Sequence, residues 1–220
     1  MQANYDPIAK YYDPLSRIIF GDSIRRAHQF LLEAIPSGSN ILIVGGGTGW
    51  ILEDIARQHN SGLNITYVEQ SVKMMELSLK RDIGNNKVKF ECQSIQNVIL
   101  KGFYNVIILP FLLDNYTYPN IDRIIRKIES NVTEDGNWMI ADFTLKTGNL
   151  WKKIMLKMMY GLLGPLCNLE TYTLPDAEAF FLNNDYQVVH QDSFFSGFIC
   201  SIIYQKAKQN SNKINHKSII

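Results

Sequence analysis

The chain has 220 residues, 46% of them hydrophobic and 20% charged, with a net charge of +1 at neutral pH. That apolar content suits one sizeable core, so a single domain with at most a small cap is expected. A charge this close to zero excludes the strong field that would draw nucleic acid or an acidic partner.

Three cysteines, Cys92, Cys167 and Cys200, include no close pair, as expected of free thiols in a reducing compartment. The four histidines, His28, His59, His190 and His216, show no ligand spacing, so no metal is expected. The N-terminus has no basic stretch leading into an apolar core, and no apolar run reaches the length of a membrane span. A cytoplasmic protein is expected.

From the N-terminus, Tyr5 to Tyr12 reads as a short helix or turn, followed by Asp13-Pro14. Leu15 to Ile35 reads as a long amphipathic helix with a break near Gly21-Asp22. Its expected buried side is Ile18, Ile19, Ile24, Ala27, Phe30, Leu31 and Ala34, with Arg25-Arg26 on a solvated face. Pro36-Ser37-Gly38-Ser39 ends it.

Next, Ile41-Leu42-Ile43-Val44 runs straight into Gly45, Gly46, Gly47 and Gly49, and Ile51, Leu52, Ile55 and Ala56 follow at helical spacing. That is a buried strand, a tight turn and a helix. Glycines allow positive φ and let a ligand approach the main chain. The N–H groups at the helix start can then receive ligand oxygens. The dinucleotide fingerprint G-x-G-x-x-G fails at Trp50, and no Gly-Lys-Ser/Thr follows for a P-loop. The glycines fit G-x-G-x-G instead, as Gly45, Gly47 and Gly49. The next strand, Asn64 to Glu69, ends on an acid 20 residues beyond Gly49. A carboxylate there can accept both hydrogen bonds of a ribose diol.

With these motifs the chain resembles the class I S-adenosylmethionine-dependent methyltransferases. "ILIVGGGTG" resembles their first motif and "YVEQS" their ribose-binding strand end; the likeness runs from about Tyr5 to Lys206. It implies an α/β, Rossmann-like, seven-stranded sheet of order 3-2-1-4-5-7-6, the last strand antiparallel, with helices on both faces. It implies S-adenosylmethionine as cofactor, bound by Tyr12, Gly45, Gly46, Gly47, Gly49, Glu69, Gln70, Ser94, Ile95 and Leu109. The pattern Tyr5-Asp6…Ile8-Ala9…Tyr12-Asp13 resembles the entry segment of the ubiquinone/menaquinone-type enzymes, which closes over the cofactor's methionine end. Tyr11 or Tyr12 would then face the site. Two positions depart from the family. Ile43 stands where an acid is common, and Ser94 stands where an Asp often holds the adenine amino group.

Further on, Ser71 is placed to cap a helix reaching about Arg81, with Met74, Met75, Leu77 and Leu79 in the core. Val88 to Cys92 is the third strand and Tyr104 to Leu109 the fourth. The fourth leads into Pro110 to Tyr116, beside the reacting group if ligands bind outside the carboxyl ends of the strands. Asp114, Tyr116 and His190 are the candidate general bases, and Asp114 has the best location. Ile121 to Val132 is a helix with Ile121, Ile124, Ile125 and Ile128 inward. Glu134 to Asn137 reads as a turn and Trp138 to Phe143 as the fifth strand.

In Gly148 to Cys167, Trp151, Ile154, Met155, Met158, Met159 and Leu162 share one helical face, with Lys152, Lys153 and Lys157 off it. That face suits packing on the sheet, a methionine-lined cap over an apolar acceptor, or a membrane-skimming surface. Pro175 to Leu182 is a second short helix. Tyr186 to Ser193 and Gly197 to Gln205 form a closing hairpin, and the end is a polar tail. The expected organisation is a helical cap over 1–35, a cofactor domain over 36–206 with a helical insertion at about 148–183, and a disordered tail over 207–220.

Three functions fit. The first is methyl transfer to a small apolar or aromatic acceptor, with no nucleic-acid partner. The second is methylation of RNA or protein, which would want a basic face. The third is a non-catalytic protein of the same fold.

Overall fold

The computed structural model describes residues 3–146 and 148–207. Seven strands form one sheet: β1 (Asn40–Val44), β2 (Ser61–Val68), β3 (Asn85–Glu91), β4 (Tyr104–Pro110), β5 (Val132–Phe143), β6 (Tyr186–Phe194) and β7 (Ile199–Lys206). Their order is β3-β2-β1-β4-β5-β7-β6. β1 to β5 pair in parallel, and β7 lies antiparallel to both β5 and β6. This is the expected topology. The expected tail lies, from residue 208 on, outside the described residues.

Helices cover both faces: α1 (Ala9–Phe20), α2 (Ser23–Leu32), α3 (Trp50–Gln58), α4 (Val72–Ser78), α5 (Tyr118–Glu129), α6 (Leu150–Cys167) and α7 (Ala177–Asn183). Successive strand residues point to opposite faces, and this alternation splits the core in two. Val106 and Ile108 of β4 join Ile41 and Ile43 of β1 under α2, α3 and α6. Ile107 and Leu109 join Leu42 and Val44 under α5 and α7. The expected stripe Ile121, Ile124, Ile125 and Ile128 is the fully buried side of α5.

Ser71 does cap α4. Its Oγ accepts from the Met74 N–H at 3.2 Å and donates to the Asp6 carboxylate. Ser71→Ala is expected to destabilise the protein by about 1 kcal/mol, read as a lower urea midpoint at unchanged slope.

Several local expectations are overturned. Asp13-Pro14 does not separate two elements, because α1 runs through Pro14. Only the Lys10 carbonyl loses an intrahelical donor there, and Lys10 is exposed to water. Ile18 is 81% exposed rather than core. Arg25 is not merely solvated: its guanidinium donates to Asp54 of α3 at 2.9 Å. α4 stops at Ser78, which leaves Leu79 57% exposed. The turn at Glu134–Asn137 is an irregularity inside β5. There β4 advances from Tyr104 to Val106 while β5 advances from Val132 to Asn137.

The largest correction concerns α6. Its buried side is Lys152, Leu156, Tyr160, Gly164 and Cys167, and the expected face is split: Met155 and Met159 are half-buried against the core, while Ile154 and Met158 turn outward, 53% and 69% exposed. The helix is apolar almost all round, so periodicity does not choose a face. Contacts choose it: the Lys152 ammonium donates to the Gly197 carbonyl in the β6–β7 turn, and the Tyr160 hydroxyl donates to the Asp114 carbonyl at 3.0 Å. No helix among the described residues is long and apolar enough to cross a membrane.

Candidate functional site

The turn after β1 is shaped by two different demands on glycine. Gly45, Gly47 and Gly49 have φ of 72°, 62° and 86°, the left-handed region that side chains disfavour. Gly46 answers to space instead, since a Cβ there would sit 2.2 Å from the Tyr67 ring. Tyr67, fully buried on β2, donates its hydroxyl to the Gly47 carbonyl at 2.9 Å. The turn is thus braced from below by an aromatic ring.

Glu69 ties this turn to the next strand end. Its Oε2 accepts from the Gly47 N–H at 2.9 Å and its Oε1 from the Ser71 N–H at 2.8 Å. Burial pushes the carboxyl above its ordinary value, partly offset by those backbone donors. Each oxygen keeps a second lone pair, so the carboxylate is fixed in place and can still accept from a ligand. Gln70 beside it donates to the Ala3 carbonyl, and its buried Oε1 has no hydrogen-bond partner among the described residues. Ser94 and Ile95, beyond β3, line the same cleft.

The N-terminal segment closes the cleft from above, tied down by hydrogen bonds and an ion pair along its length. Asp6 accepts from the Lys73 N–H at 3.0 Å. The Asn4 N–H donates to the Cys167 carbonyl of α6 at 2.6 Å. Asp13 accepts from the Thr48 hydroxyl at 2.6 Å, and Arg81 bridges Asp13, Glu53 at 3.0 Å and the Thr48 carbonyl at 2.8 Å. This holds Tyr5 and Tyr12 against the cleft, and burial raises both phenols so that they stay protonated. Tyr5 donates to Asn115 Oδ1.

At the other end, β4 leads into Phe111, whose φ is 50°. Its N–H donates to the Ala141 carbonyl at 2.7 Å. The ring lies 5.9 Å from His28 and 5.1 Å from Phe143. His28 of α2 lines the cleft, is buried, and has neither ring nitrogen hydrogen-bonded among the described residues.

Of the residues singled out in the sequence, Tyr12, Gly45, Gly46, Gly47, Glu69, Gln70, Ser94 and Ile95 are together on the cleft wall. Tyr12 faces it and Tyr11 is exposed. Three fall elsewhere. Gly49 caps α3 and packs against α4, where a Cβ would meet Ser78 at 2.8 Å. Leu109 points into the core on the α5 side, because its neighbours on the strand take the other face. Asp114 lines a second cavity with Asp142, Phe181 and Tyr204.

In that second cavity Asp142 accepts from the Leu113 and Asp114 N–H groups at 3.1 and 3.2 Å. Burial first, and then the charge of Asp142, pushes the Asp114 carboxyl above its ordinary value. Of the other candidate bases, Tyr116 is in the cleft and His190 is exposed on β6. Phe111 and Asn115 belong to the Pro110–Tyr116 loop expected beside the reacting group and do line the cleft, whereas Tyr67 and His28 were not legible as site residues. Only Tyr67 carried a signal, two residues before Glu69 and so on the same side of its strand.

No protein-family model matches the sequence, and no curated protein does. Solved structures match the fold. The mitomycin 7-O-methyltransferase MmcR is 17% identical over 90% of this chain, with a TM-score of 0.66. The plantazolicin methyltransferase BpumL, in a complex with S-adenosylhomocysteine (SAH), is 16% identical over 92% of this chain and 94% of its own, with a TM-score of 0.60. The ribosomal protein L11 methylase of Lactobacillus delbrueckii subsp. bulgaricus is 14% identical over 84% of this chain and 79% of its own, with a TM-score of 0.55. The chain spans 58% of the length of MmcR. At such identities the likeness is one of fold.

Proposed function

We propose that this chain, which has the class I methyltransferase fold, binds S-adenosylmethionine and transfers its methyl group to a small apolar or aromatic acceptor. The observation that carries the reading is the unit formed by Glu69 and the glycine turn, bonded through Gly47 at the carboxyl edge of the sheet. The cleft fits the cofactor. A side chain at Gly47 would project into open space, Glu69 keeps lone pairs for a diol, and Gln70 Oε1 is an unused acceptor.

When bound, the cofactor supplies a methyl group on a sulfonium. The chain's own part is to orient and to exclude water. Glu69 would hold the ribose, and Gln70, Ser94 and Ile95 the adenine, with the main chain of Gly45 to Gly47 and Tyr12 lining the same cleft. Tyr5, Phe111 and Tyr116 wall off the far end, where apolar and aromatic surface favours an acceptor of the same kind. Asp114 is linked to the cleft through Asn115, which donates to it at 2.7 Å and accepts from Tyr5. In this reading residues 1–35 are the helical cap, 36–206 the cofactor domain, and about 148–183 an insertion beside the acceptor. The protein works in the cytoplasm, consistent with three free thiols.

A second reading has one observation in its favour: Asp114 and His190 both lie off the cleft wall. On that reading the protein binds the cofactor without catalysis. Calorimetric titration with S-adenosylmethionine, SAH and NAD tests the shared premise, with saturable binding of the first two and none of NAD expected. Incubation with methyl-labelled cofactor and a metabolite extract then separates the readings. Label in an extractable small molecule supports transfer, and binding with no transfer from any extract supports the alternative.

A further inference from the structure

We infer that His28 is the partner of the carboxylate at the cofactor's amino-acid end, and that it takes up a proton as the cofactor binds. The inference rests on the cofactor assignment above and adds a group and a pH dependence to it.

Position comes first. The strand ends that form the cleft follow the sheet order, with Ser94 beyond β3, Glu69 at β2, Gly45 at β1 and Phe111 at β4. Adjacent strands are about 4.8 Å apart, so β3 to β4 spans roughly 14 Å. With adenine at Ser94 and ribose at Glu69, the amino-acid end falls beside Phe111, against which His28 packs.

Chemistry comes second. That end carries a carboxylate, and a buried carboxylate without a partner is costly. Among the described residues lining the cleft there is no Lys or Arg. His28 is, among the described residues, the lining side chain that can become a cation, and among them both of its nitrogens are without a hydrogen-bond partner. The charged groups that act on it are Arg25, one turn earlier on α2, and Asp54 on α3, already paired with Arg25 and Arg57. The Phe111 ring faces it from β4. Burial, against the pull of Asp54 and with the push of Arg25, lowers the imidazole to about 4. It is therefore neutral at pH 7 before the ligand arrives. An adjacent carboxylate favours the charged form and raises it.

The sign follows from linkage. A group whose pKa is higher in the complex binds a proton on complex formation. Affinity must then rise as pH falls through the bound-state value, approaching about tenfold per unit for one proton. The experiment is calorimetry from about pH 8 to about pH 5.5 with two probes. SAH carries the carboxylate, and 5′-methylthioadenosine is the same nucleoside thioether without it. We expect tighter SAH binding at lower pH and a flat response for methylthioadenosine. His28→Gln, which cannot charge, should abolish the slope and leave methylthioadenosine affinity intact, which also shows that the variant folds. A flat SAH response in the unaltered protein overturns the inference. A slope shared by both probes overturns it too, because it would arise from a group at the nucleoside they have in common. So does equal loss of both probes in His28→Gln. Failure of both probes to bind the unaltered protein overturns the cofactor assignment itself, and the inference with it.

Discussion

Glu69→Ala is expected to weaken SAH binding by at least about 100-fold, because two charge-assisted hydrogen bonds to the ribose at roughly 1.5 kcal/mol each total about 3 kcal/mol. The loss has a second source. The same carboxylate holds the Gly47 and Ser71 N–H groups, so alanine also releases the glycine turn and the start of α4. Glu69→Gln separates the two effects. Its remaining carbonyl oxygen can keep one backbone donor, while its amide nitrogen opposes the other. The glutamine variant should therefore bind more tightly than the alanine variant and more weakly than the unaltered protein. Calorimetry reads both, and unchanged affinity in Glu69→Ala would sink the ribose assignment.

Gly46→Ala is expected to cost about 2–3 kcal/mol of stability and to abolish measurable cofactor binding. A Cβ would lie 2.2, 2.3 and 2.5 Å from Cε2, Cζ and the hydroxyl oxygen of Tyr67. The ring cannot step aside. It is fully buried, packs on Phe90 at 5.5 Å and is anchored through its hydroxyl to Gly47. The turn must move instead, which carries the Gly47 N–H away from Glu69. The clash makes a coupling prediction as well. In a Tyr67→Leu background, which removes the colliding atoms, Gly46→Ala should cost less than half as much, so the double-mutant cycle should show an interaction of about 1 kcal/mol or more. Additive urea midpoints would show that the ring is not the obstacle.

Both predictions concern a unit that the sequence displays openly, and the reason is that it is local. A glycine turn between a strand and a helix, with an acid at the end of the next strand, is set by backbone conformation and by parallel pairing of neighbours. The acid end of β2 must emerge beside the turn after β1 once Val44 pairs with Val68. The inward stripe of α5 was legible for a similar reason, since its isoleucines alternate with charge and leave one way to bury them.

Elsewhere the local signal was ambiguous or silent. His28 reads as an ordinary helix residue, because what distinguishes it is the absence of a hydrogen-bond partner among the described residues around it. Asp114 lies in the loop after β4, where the sequence places the reacting group. Yet the 3₁₀ turn over Leu113–Asn115 rotates neighbouring side chains to different sides. Asn115 turns to the first cleft and Asp114 to the second.

By itself, then, the sequence determined the glycine turn, the acid Glu69 at the next strand end and the Ser71 cap, which follow from patterns a few residues long, while the strand order was implied by the family resemblance that the first two of these carry. Tertiary structure alone decided which way α6 faces, where Asp114 points and that His28 meets the cleft. In α6 a nearly uniform apolar surface gives no preferred side, so the contacts of Lys152 with Gly197 and of Tyr160 with Asp114 set the rotation. The surroundings of Asp114 and His28 depend on which groups they meet across the fold, and that is a property of packing between elements distant in the chain.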